Sequence, residues 1–348
     1  MLVVRNIGFE PGVLRDTVGL IERHKAAIAC LKTGETCETH DAHVSALGVE
    51  RNIVLEIRWR HWSVPLIAKY AREDNPFPQI TAWEIRQWEL VNGVLDGAAG
   101  AVVPSLIAFD EAREVLLLGK LDGVSVLRIL KLAPIYGLYG SKRAEILAGF
   151  YSVGRLLGLL HRRLVAETRS RMFYSIGEKL LSLSMSSRSD EVFSRGLSVW
   201  TRNGEVQEPK TWVHGNLRTD NVLFWQGQAS LIDLENAGAG SPMEDLGRFI
   251  AYIAIWRMIP VFSRKLSQDM ISHTIEGYGS ESPWSAQLLS WAILGEILYV
   301  YGRDYSGKRI SLPRRVLGHG IRRLVSYYTG LVEQAAKGIV LDARQFAG

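Results

Sequence analysis

Two stretches of this chain decide its fold: WVHGNLRTDN at residues 212–221 and LIDLE at residues 231–235. The segment between them, VLFWQGQASLI, predicts a tight hairpin because two short apolar runs flank a turn that contains glycine. A hairpin returns its second strand beside its first, so Asn221 and Asp233 are expected to come close together. An amide oxygen and a carboxylate suit a hard cation such as magnesium. The alternative is a polar hairpin with a solvated aspartate.

Composition indicates a globular protein with a mild preference for anionic ligands or acidic surfaces. The 348 residues are 47% hydrophobic and 22% charged, and the formal net charge is +5. This length allows one large or two modest domains, and the charge is too weak to indicate nucleic-acid binding. The two cysteines, Cys30 and Cys37, fit neither a disulfide framework nor a zinc site. We therefore expect a reducing, cytoplasmic location.

The sequence contains no segment that predicts export or membrane insertion. Its start, MLVVRNIGFEPG, lacks a charged region followed by a long apolar run, so we expect no signal peptide. The most apolar later runs are FIAYIAIW, next to Arg257, and LLSWAILGEILYVY, which contains Glu296. Neither reaches the roughly 18 uninterrupted apolar residues of a membrane span. Both are expected to be buried helices.

The order of predicted elements divides the chain into a strand-rich front and a helical back. Residues 10 to about 32 predict a helix, and HVSALGVE, NIVLEIRWR and VPLIAKYA predict three antiparallel strands. A helix from Gln79 to Leu95 and a hairpin formed by SLIAFD and EVLLLGKL follow. We expect an α+β protein with an N-terminal helical extension at 1–42, an N-lobe at 43–122 and a helical C-lobe at 123–348.

A lysine and a glutamate in the front part form a second candidate site. Lys69 interrupts the apolar strand PLIAKYA, and Glu84 lies on the helix that follows. A strand lysine held by a helix carboxylate can direct its ammonium at phosphate oxygens. Glu89 is the alternative partner, because the register of the helix is open. In the simplest structural interpretation, Lys69 extends to solvent from a half-exposed strand and Glu84 is solvated.

In their order along the chain, these features resemble a known family. The segments VGRLLGLLH, HGNLRTDN, LIDLE and MEDLGRF follow one another with the spacing of the aminoglycoside phosphotransferase and choline kinase-like family. The usual family motifs are H-G-D-x-x-x-x-N, then hydrophobic-Ile-Asp, then a D-L-A-like segment. The resemblance extends from about residue 43 to 300. It implies a bilobal protein-kinase-like fold with a small antiparallel-sheet N-lobe and a larger helical C-lobe.

The resemblance assigns nucleotide contacts to the front part of the chain. It implies a phosphotransferase that uses ATP or GTP with Mg²⁺. Lys69 would contact the α- and β-phosphates, with Glu84 as its ion-pair partner. Gly119 and Leu121 fall where family members offer backbone groups to the adenine, and Gly48 falls in the phosphate-covering turn ALGVERN. Gly48 is the only glycine in that turn, although a backbone cradle for phosphates favours several.

The remaining implied site residues lie in the two opening stretches. Asn221 and Asp233 would bind the metal, and His214 would be a packing and hydrogen-bonding element of the loop. Asp245 would be a structural acceptor that holds the loop. Asn216 occupies the position where the family has an aspartate that takes the acceptor's proton.

The amide at Asn216 raises the main functional question. Asparagine accepts hydrogen bonds but cannot hold a proton at neutral pH, and loss of a general base costs on the order of 10²- to 10⁴-fold in rate. Phosphoryl transfer depends largely on positioning and charge neutralisation, however. Asn216 therefore predicts a slow, an unusual or an inactive kinase, or a replaced native aspartate. Asp220 could supply a carboxylate after rearrangement, and a solvated loop aspartate is its alternative.

Two function classes follow from these residues. The first is a kinase that phosphorylates a hydroxyl of a small molecule such as a sugar, an amino alcohol or an aminoglycoside-like compound. The second is a pseudokinase, which binds nucleotide or acts as a scaffold without transfer. A weaker third hypothesis, contact with a membrane surface, depends on the basic segment RDYSGKRISLPRRVLGHGIRRL, for which a solvated helix face is the alternative. Trp284 and Trp291 could line an acceptor pocket or serve in packing.

Overall fold

The described part of the chain forms two compact units. The computed structural model describes residues 3–4, 42–48, 52–59, 65–71, 80–95, 103–110, 115–136, 140–166, 175–183, 190–204, 210–259, 262–305 and 312–347. Within these residues, the first unit ends at Asp122 and the second begins at Gly123. The helix predicted at 10 to about 32 lies outside the described residues.

The first unit is a six-stranded sheet with one helix. The strand order is β1-β2-β3-β4-β6-β5, and all neighbours are antiparallel except the parallel pair β1–β2. The three predicted strands, the helix and the hairpin are therefore confirmed. The bounds are β1 (Val3–Val4), β2 (Ala42–Gly48), β3 (Asn52–Trp59), β4 (Leu66–Ala71), α1 (Ile80–Leu95), β5 (Leu106–Asp110) and β6 (Val115–Gly119).

Apolar residues at alternating strand positions form the core of this unit. Leu55 and Ile57 of β3 and Ala68 of β4 are fully buried, as expected for residues two apart that share one face of a sheet. Trp88 of α1 is also fully buried. Burial of these side chains, at roughly 25 cal/mol per Å² of apolar surface, stabilises the sheet and fixes which side chains face the core.

The second unit is mainly helical and contains two small sheets. The sheets have the orders β10-β9-β7 and β11-β8, and all their pairs are antiparallel. The strands are β7 (Val124–Ser125), β8 (Thr211–Val213), β9 (Val222–Trp225), β10 (Gln228–Leu231) and β11 (Gly238–Gly240). The α-helices are α2 (Val126–Tyr136), α3 (Gly140–Arg163), α4 (Ile176–Leu181), α5 (Glu191–Arg202), α6 (Pro242–Trp256), α7 (Arg264–Gly279), α8 (Ala286–Asp304) and α9 (Leu312–Ala336).

The two most apolar runs of the sequence are buried helices, as predicted. FIAYIAIW belongs to α6 and LLSWAILGEILYVY to α8, and most of their residues are buried. Among the described residues, no helix combines the length and the apolarity that crossing a membrane requires.

Trp284 and Trp291 of the helical unit both pack against other aromatic rings. Trp291 stacks on Trp200 with ring centroids 4.8 Å apart and an interplanar angle of 14°, and its Nε1 donates to the carbonyl of Trp200. Trp284 meets Phe346 edge to face, with centroids 5.7 Å apart. Such contacts stabilise a fold beyond the area that they bury, and they account for both tryptophans without a ligand.

Glycines allow α3 and α7 to pack at very short range. A Cβ at Gly154 of α3 would lie 1.9 Å from the carbonyl oxygen of Thr274, and one at Gly277 of α7 would lie 2.1 Å from the carbonyl oxygen of Tyr151. Both nearest atoms belong to backbone, which cannot move as a flexible side chain can. This close packing fixes α3. The C-terminal end of α3 in turn contacts Thr211 of β8, which precedes the loop.

We predict that Gly154→Ala destabilises the protein. The added methyl group must separate α3 from α7, and overpacking of this kind costs about 1–3 kcal/mol or more. The free energy of unfolding, measured in urea, tests this. Gly330→Ala is the matched control: a Cβ there has nothing within 4 Å, so the change should be neutral or should stabilise α9 by up to about 1 kcal/mol. Equal effects of the two substitutions would contradict the packing argument.

Candidate functional site

The segment from His214 to Asn221 is a loop held between short strands. β8, which precedes it, pairs with β11 in the register Val213↔Gly238 and Thr211↔Gly240. The Thr211 hydroxyl donates to the backbone carbonyls at the end of α3, including that of Leu164 at 2.7 Å. The N–H of Trp212 also donates to Leu164. The loop therefore begins at a fixed point of the helical unit.

Asp245 of α6 binds the start of this loop with both carboxylate oxygens. Its Oδ2 accepts from the N–H of His214 at 2.5 Å, and its Oδ1 accepts from the N–H of Gly215 at 3.0 Å. Gly215 has φ of 74°, a left-handed conformation that glycine adopts without steric cost. The sequence prediction that Asp245 is a structural acceptor for the loop matches this geometry.

The Asp245 carboxylate is stabilised as an anion despite complete burial. Burial alone would raise the pKa of Asp245, but His161, His214 and Arg248 beside it hold that pKa below its ordinary value. His161 Nε2 lies 3.5 Å from Asp245 Oδ2. We interpret this contact as electrostatic, because the same nitrogen has no hydrogen-bond partner of good geometry. The charge of Asp245 strengthens its two bonds to the loop.

His214 connects the loop to the hairpin and uses both ring nitrogens in doing so. Its Nε2 lies 2.9 Å from the carbonyl oxygen of Ile232, to which it donates, and its Nδ1 accepts from the N–H of Asn216 at a longer 3.4 Å. His214 is buried. This arrangement supports the structural role that the sequence predicts for it.

Asn216 takes part in the loop through its backbone. The residue is half-buried, and its backbone carbonyl accepts from the N–H of Arg218 at 2.8 Å and from Asn221 Nδ2 at 2.9 Å. Its own side-chain amide makes no hydrogen bond to another described residue. Asp220 forms a two-bond pair with Arg218, at 3.0 and 2.7 Å. In this arrangement Asp220 is a surface partner of Arg218.

The hairpin brings Asn221 and Asp233 to the same end, as its predicted geometry requires. β9 and β10 pair in the register Val222↔Leu231, and the next residues outward bond through the N–H of Ile232 and the carbonyl of Asn221 at 3.0 Å. Asn221 Nδ2 donates to the backbone carbonyl of Asn216, so the side-chain oxygen of Asn221 is the atom that can bind a cation. Asp233 has φ of 66°, which is uncommon for a residue other than glycine.

The first unit joins Lys69 to Glu84. The Nζ of Lys69 on β4 lies 2.8 Å from Glu84 Oε2 on α1, and their side chains are 9% and 1% exposed. Glu89 is exposed on the same helix. The pair therefore uses the first of the two predicted partners. A buried ammonium with a fixed carboxylate has one orientation, whereas a solvated lysine samples many.

The segment after β6 begins with backbone N–H groups that bond to neighbouring parts of the first unit. The N–H of Gly119 donates to the carbonyl of Ser105 and that of Lys120 to the carbonyl of Pro65. The next N–H, on Leu121, bonds to no described residue. Gly48 ends β2 beside a bulge in its pairing with β3, where Ala46 pairs with Leu55 and Gly48 with Val54.

Comparison with known proteins identifies the family of this chain. The model of the phosphotransferase enzyme family matches residues 92–268, half of the chain, including the loop, the hairpin and Asp245. The chain belongs to the phosphotransferase enzyme family. A search of curated protein sequences finds no significant match.

Solved structures of phosphotransferases share the fold at low sequence identity. Amicoumacin kinase hAmiN in complex with AMP-PNP, Ca²⁺ and amicoumacin is 14% identical, with a TM-score of 0.58 over 91% of this chain and 93% of that one. A protein from Ralstonia eutropha JMP134, described as a candidate aminoglycoside phosphotransferase, is 13% identical, with a TM-score of 0.57 over 92% of this chain and 98% of that one. A microcompartment-associated aminopropanol kinase is 15% identical, with a TM-score of 0.55 over 91% and 98%. The bilobal protein-kinase-like fold is thereby confirmed.

The loop from His214 to Asn221 is also held by buried charged residues that the sequence did not predict. Arg248 of α6 donates through Nη1 to the carbonyl of Gly215 and through Nε to Glu296 Oε1 of α8 at 2.7 Å. Lys179 of α4 also donates to Glu296 Oε1, at 3.2 Å. The only signal in the sequence was a glutamate inside the apolar run LLSWAILGEILYVY. Burial would raise the pKa of Glu296, but Arg248 and Lys179 hold it below its ordinary value.

Glu244 is the fourth charged member of this cluster. Burial raises the pKa of Glu244 to about 7 from an ordinary value of 4.5, against the opposing charge of Arg248. Its Oε2 is buried and has no hydrogen-bond partner among the described residues. A folded-state pKa above the unfolded one means that the folded protein holds a proton that the unfolded chain has released. The contribution to stability is therefore full below pH 4.5 and is lost as the pH rises through about 7.

We predict that Glu244→Gln removes a pH-dependent loss of stability. Between pH 5 and pH 8 the free energy of unfolding of the native protein should fall relative to that of the variant by roughly 2–3 kcal/mol. Urea titrations at the two pH values measure this difference. Glu89→Gln makes the same change at an exposed position of α1. In that variant the free energy of unfolding should change between pH 5 and pH 8 as it does in the native protein. A parallel pH dependence of native protein and Glu244→Gln would show that the buried carboxyl is not protonated.

Proposed function

We propose that this chain is an ATP- and Mg²⁺-dependent phosphotransferase that acts on a hydroxyl group of a small molecule. The observation that carries the proposal is the placement of Asn221 and Asp233 at the same end of the hairpin, inside the segment that matches the family. The similar amicoumacin kinase was solved with AMP-PNP and Ca²⁺, which supports nucleotide and divalent-cation binding. The acceptor class we propose is a sugar, an amino alcohol or an aminoglycoside-like compound, with GTP as an alternative donor.

The nucleotide would be bound by the first unit. The ammonium of Lys69, oriented by Glu84 at 2.8 Å, suits contact with the α- and β-phosphates. The carbonyl of Gly119 and the N–H of Leu121, which bonds to no described residue, would bond to the adenine edge. Gly48, beside the bulge of β2, would belong to the turn that covers the phosphates. One glycine gives that turn fewer close backbone contacts than a glycine-rich cradle provides.

The hairpin end suits Mg²⁺ by the chemistry of its donor atoms. Asn221 directs its amide nitrogen to the carbonyl of Asn216 at 2.9 Å, and this leaves Oδ1 for the cation. Asp233 adds a carboxylate, and Mg²⁺ prefers such oxygen ligands together with water and substrate phosphates. The chemistry supplied by Mg²⁺ in this place would be neutralisation of the charge on the phosphates during transfer to the acceptor. The chain's own contribution is to hold the two oxygen donors in register through the hairpin.

Asn216 would orient the acceptor hydroxyl without taking its proton. Its amide oxygen can accept the hydroxyl hydrogen bond, and its backbone is fixed by the loop. In a loose transition state the acceptor proton leaves late, so orientation supplies much of the catalysis. The proton would then pass to solvent. We propose a slow enzyme on this basis.

We predict magnesium-dependent binding of ATP that requires Asp233 and Lys69. Asp233→Asn keeps the shape of the side chain and tolerates the left-handed backbone, but it should weaken Mg²⁺-ATP binding at least tenfold by removing the ligand charge. Lys69→Met combined with Glu84→Gln removes the ion pair without leaving a buried charge, and it should also weaken binding. Calorimetry with and without Mg²⁺ measures both effects, and Glu89→Gln is the control. Native protein that binds no ATP with Mg²⁺ present would refute the proposal.

A binding module without transfer activity is the second candidate. The observation that favours it is the absence of a carboxylate at Asn216, together with the pairing of Asp220 with Arg218 at 3.0 and 2.7 Å. Such a protein would keep the nucleotide and use it as a structural ligand. It would resemble the kinase in ATP binding and differ from it in turnover.

We predict that Asn216→Asp raises the rate of transfer. A carboxylate at this position can accept the proton, so turnover should increase by about 10²- to 10⁴-fold while Mg²⁺-ATP affinity changes little. Release of ADP in the presence of a panel of sugars, amino alcohols and aminoglycosides measures this. Asp220→Asn, which changes the neighbouring loop carboxylate, is the control and should not alter the rate. Equal, background-level turnover of native protein and Asn216→Asp with every acceptor would favour the binding module.

The remaining partners and the location of the protein complete this proposal. We propose a cytoplasmic protein that binds nucleotide and a small acceptor and does not bind nucleic acid. Membrane-surface contact through the late basic segment remains the weaker alternative. In its described part, Arg303 is paired with Asp304 at 2.6 Å and lies 5.2 Å from the ring of Tyr299. These contacts favour a solvated helix face at that point.

A further inference from the structure

We infer that Arg248 is a positioning residue that fixes the peptide between Gly215 and Asn216 for phosphoryl transfer. This inference deepens the proposed function and depends on it. Arg248 lies on the same helix as Asp245 and three residues after it, so both side chains occupy one face of α6. Asp245 accepts the N–H of Gly215 at 3.0 Å, and Arg248 donates to the carbonyl of the same residue.

Gly215 is thus held at both of its backbone polar groups. Its φ of 74° places the two groups in an orientation that residues other than glycine rarely adopt. The carbonyl of Gly215 belongs to the peptide plane that also contains the N–H of Asn216. When this carbonyl is fixed, the backbone nitrogen and Cα of Asn216 are fixed as well. The side chain of Asn216, which stands where the family has its proton-accepting aspartate, is thereby positioned.

Arg248 is itself fixed by two further helices. Its Nε donates to Glu296 of α8 at 2.7 Å, with both side chains 2% exposed. α6 and α8 approach closely at this point, because a Cβ on Gly247 would lie 2.6 Å from the Cβ of Ala292. Lys179 of α4 gives Glu296 a second cationic partner at 3.2 Å. The guanidinium therefore has little freedom to move, and rigid support of this kind is what a positioned loop requires.

The cost of this network indicates a role beyond stability. The Nη2 of Arg248 is buried without a hydrogen-bond partner among the described residues, and an unsatisfied buried donor destabilises a fold. Apolar side chains of similar volume often stabilise a core as well as a buried ion pair does. A core between α6 and α8 would thus be at least as stable with apolar residues. What such residues could not supply is a donor to the carbonyl of Gly215.

The test separates support of the loop from support of the fold. Arg248→Met combined with Glu296→Gln removes the buried ion pair and the bond to Gly215, and the amide oxygen of residue 296 remains as an acceptor for Lys179. Lys179→Met is the matched control, because it removes a charge from the same network and leaves the bond between Arg248 and Gly215 in place. Hydrogen–deuterium exchange of the peptide covering residues 214–221 is measured for each protein. Mg²⁺-ATP affinity, ATP turnover and the urea midpoint are measured alongside it.

We expect the double variant to exchange the loop amides about tenfold faster while it unfolds near the native urea midpoint. Turnover should fall about 10²-fold because the side chain of residue 216 is misplaced. Mg²⁺-ATP affinity should remain within twofold, since Lys69, Asn221 and Asp233 are unchanged. Lys179→Met should leave loop exchange at the native rate. Native loop exchange in the double variant would overturn the inference, whatever happens to turnover.

A second variant keeps the test decisive if the double variant does not fold. Arg248→Lys retains the charge beside Glu296 but has one nitrogen where arginine uses two, so it cannot hold Glu296 and the Gly215 carbonyl in the same way. It should give faster loop exchange and lower turnover than the native protein, and native values of both would overturn the inference. Faster loop exchange in a protein that neither binds nor turns over Mg²⁺-ATP would refute the proposed function and leave the hold of Arg248 on the loop supported.

Discussion

The structure of the loop from His214 to Asn221 depends on one buried carboxylate. Asp245 accepts two consecutive backbone N–H groups, those of His214 and Gly215, and is itself fully buried. An isolated buried anion would take up a proton. Here two backbone donors, the neighbouring histidines and Arg248 stabilise its charged form. Asp245 also lies in the first turn of α6, where the positive end of the helix dipole favours a negative charge.

The loop that Asp245 holds is connected to the hairpin by further hydrogen bonds. With Gly215 fixed, His214 reaches the carbonyl of Ile232 at 2.9 Å, and Asn221 reaches the carbonyl of Asn216 at the same distance. The first bond ends at the residue after β10, and the second involves the residue before β9. The amide nitrogen of Asn221 is therefore held by the carbonyl of Asn216, and the pairing of β9 with β10 places the backbones of Asn221 and Asp233. The strained backbone of Asp233, with φ of 66°, is consistent with a residue held by its surroundings.

The sequence predicted what short-range patterns determine. The hairpin placed Asn221 and Asp233 together because its register follows from a short turn. The strand and helix around Lys69 and Glu84 followed from alternation and helical spacing, although only the structure distinguishes Glu84 from Glu89. Contacts between distant segments were beyond such patterns. The pair Arg248–Glu296 joins residues 48 positions apart. The local sequence of α6 or of α8 does not show which of their residues face each other. The glycine contact between α3 and α7 escaped prediction for the same reason.

The geometry around Asn216 bears on the choice between an enzyme and a binding module. A module that only binds nucleotide needs the oxygen donors at the hairpin end and the lysine of the sheet, and neither depends on where the side chain of residue 216 is directed. Yet Gly215 is held at both its N–H and its carbonyl, through a buried ionic network with an unsatisfied nitrogen. Support of that kind stabilises one orientation of residue 216 at a cost to the fold. Positioning and charge neutralisation contribute most to phosphoryl transfer, and a proton acceptor adds a smaller factor. A loop that keeps its positioning contacts while it lacks the carboxylate therefore fits a slow phosphotransferase better than a scaffold.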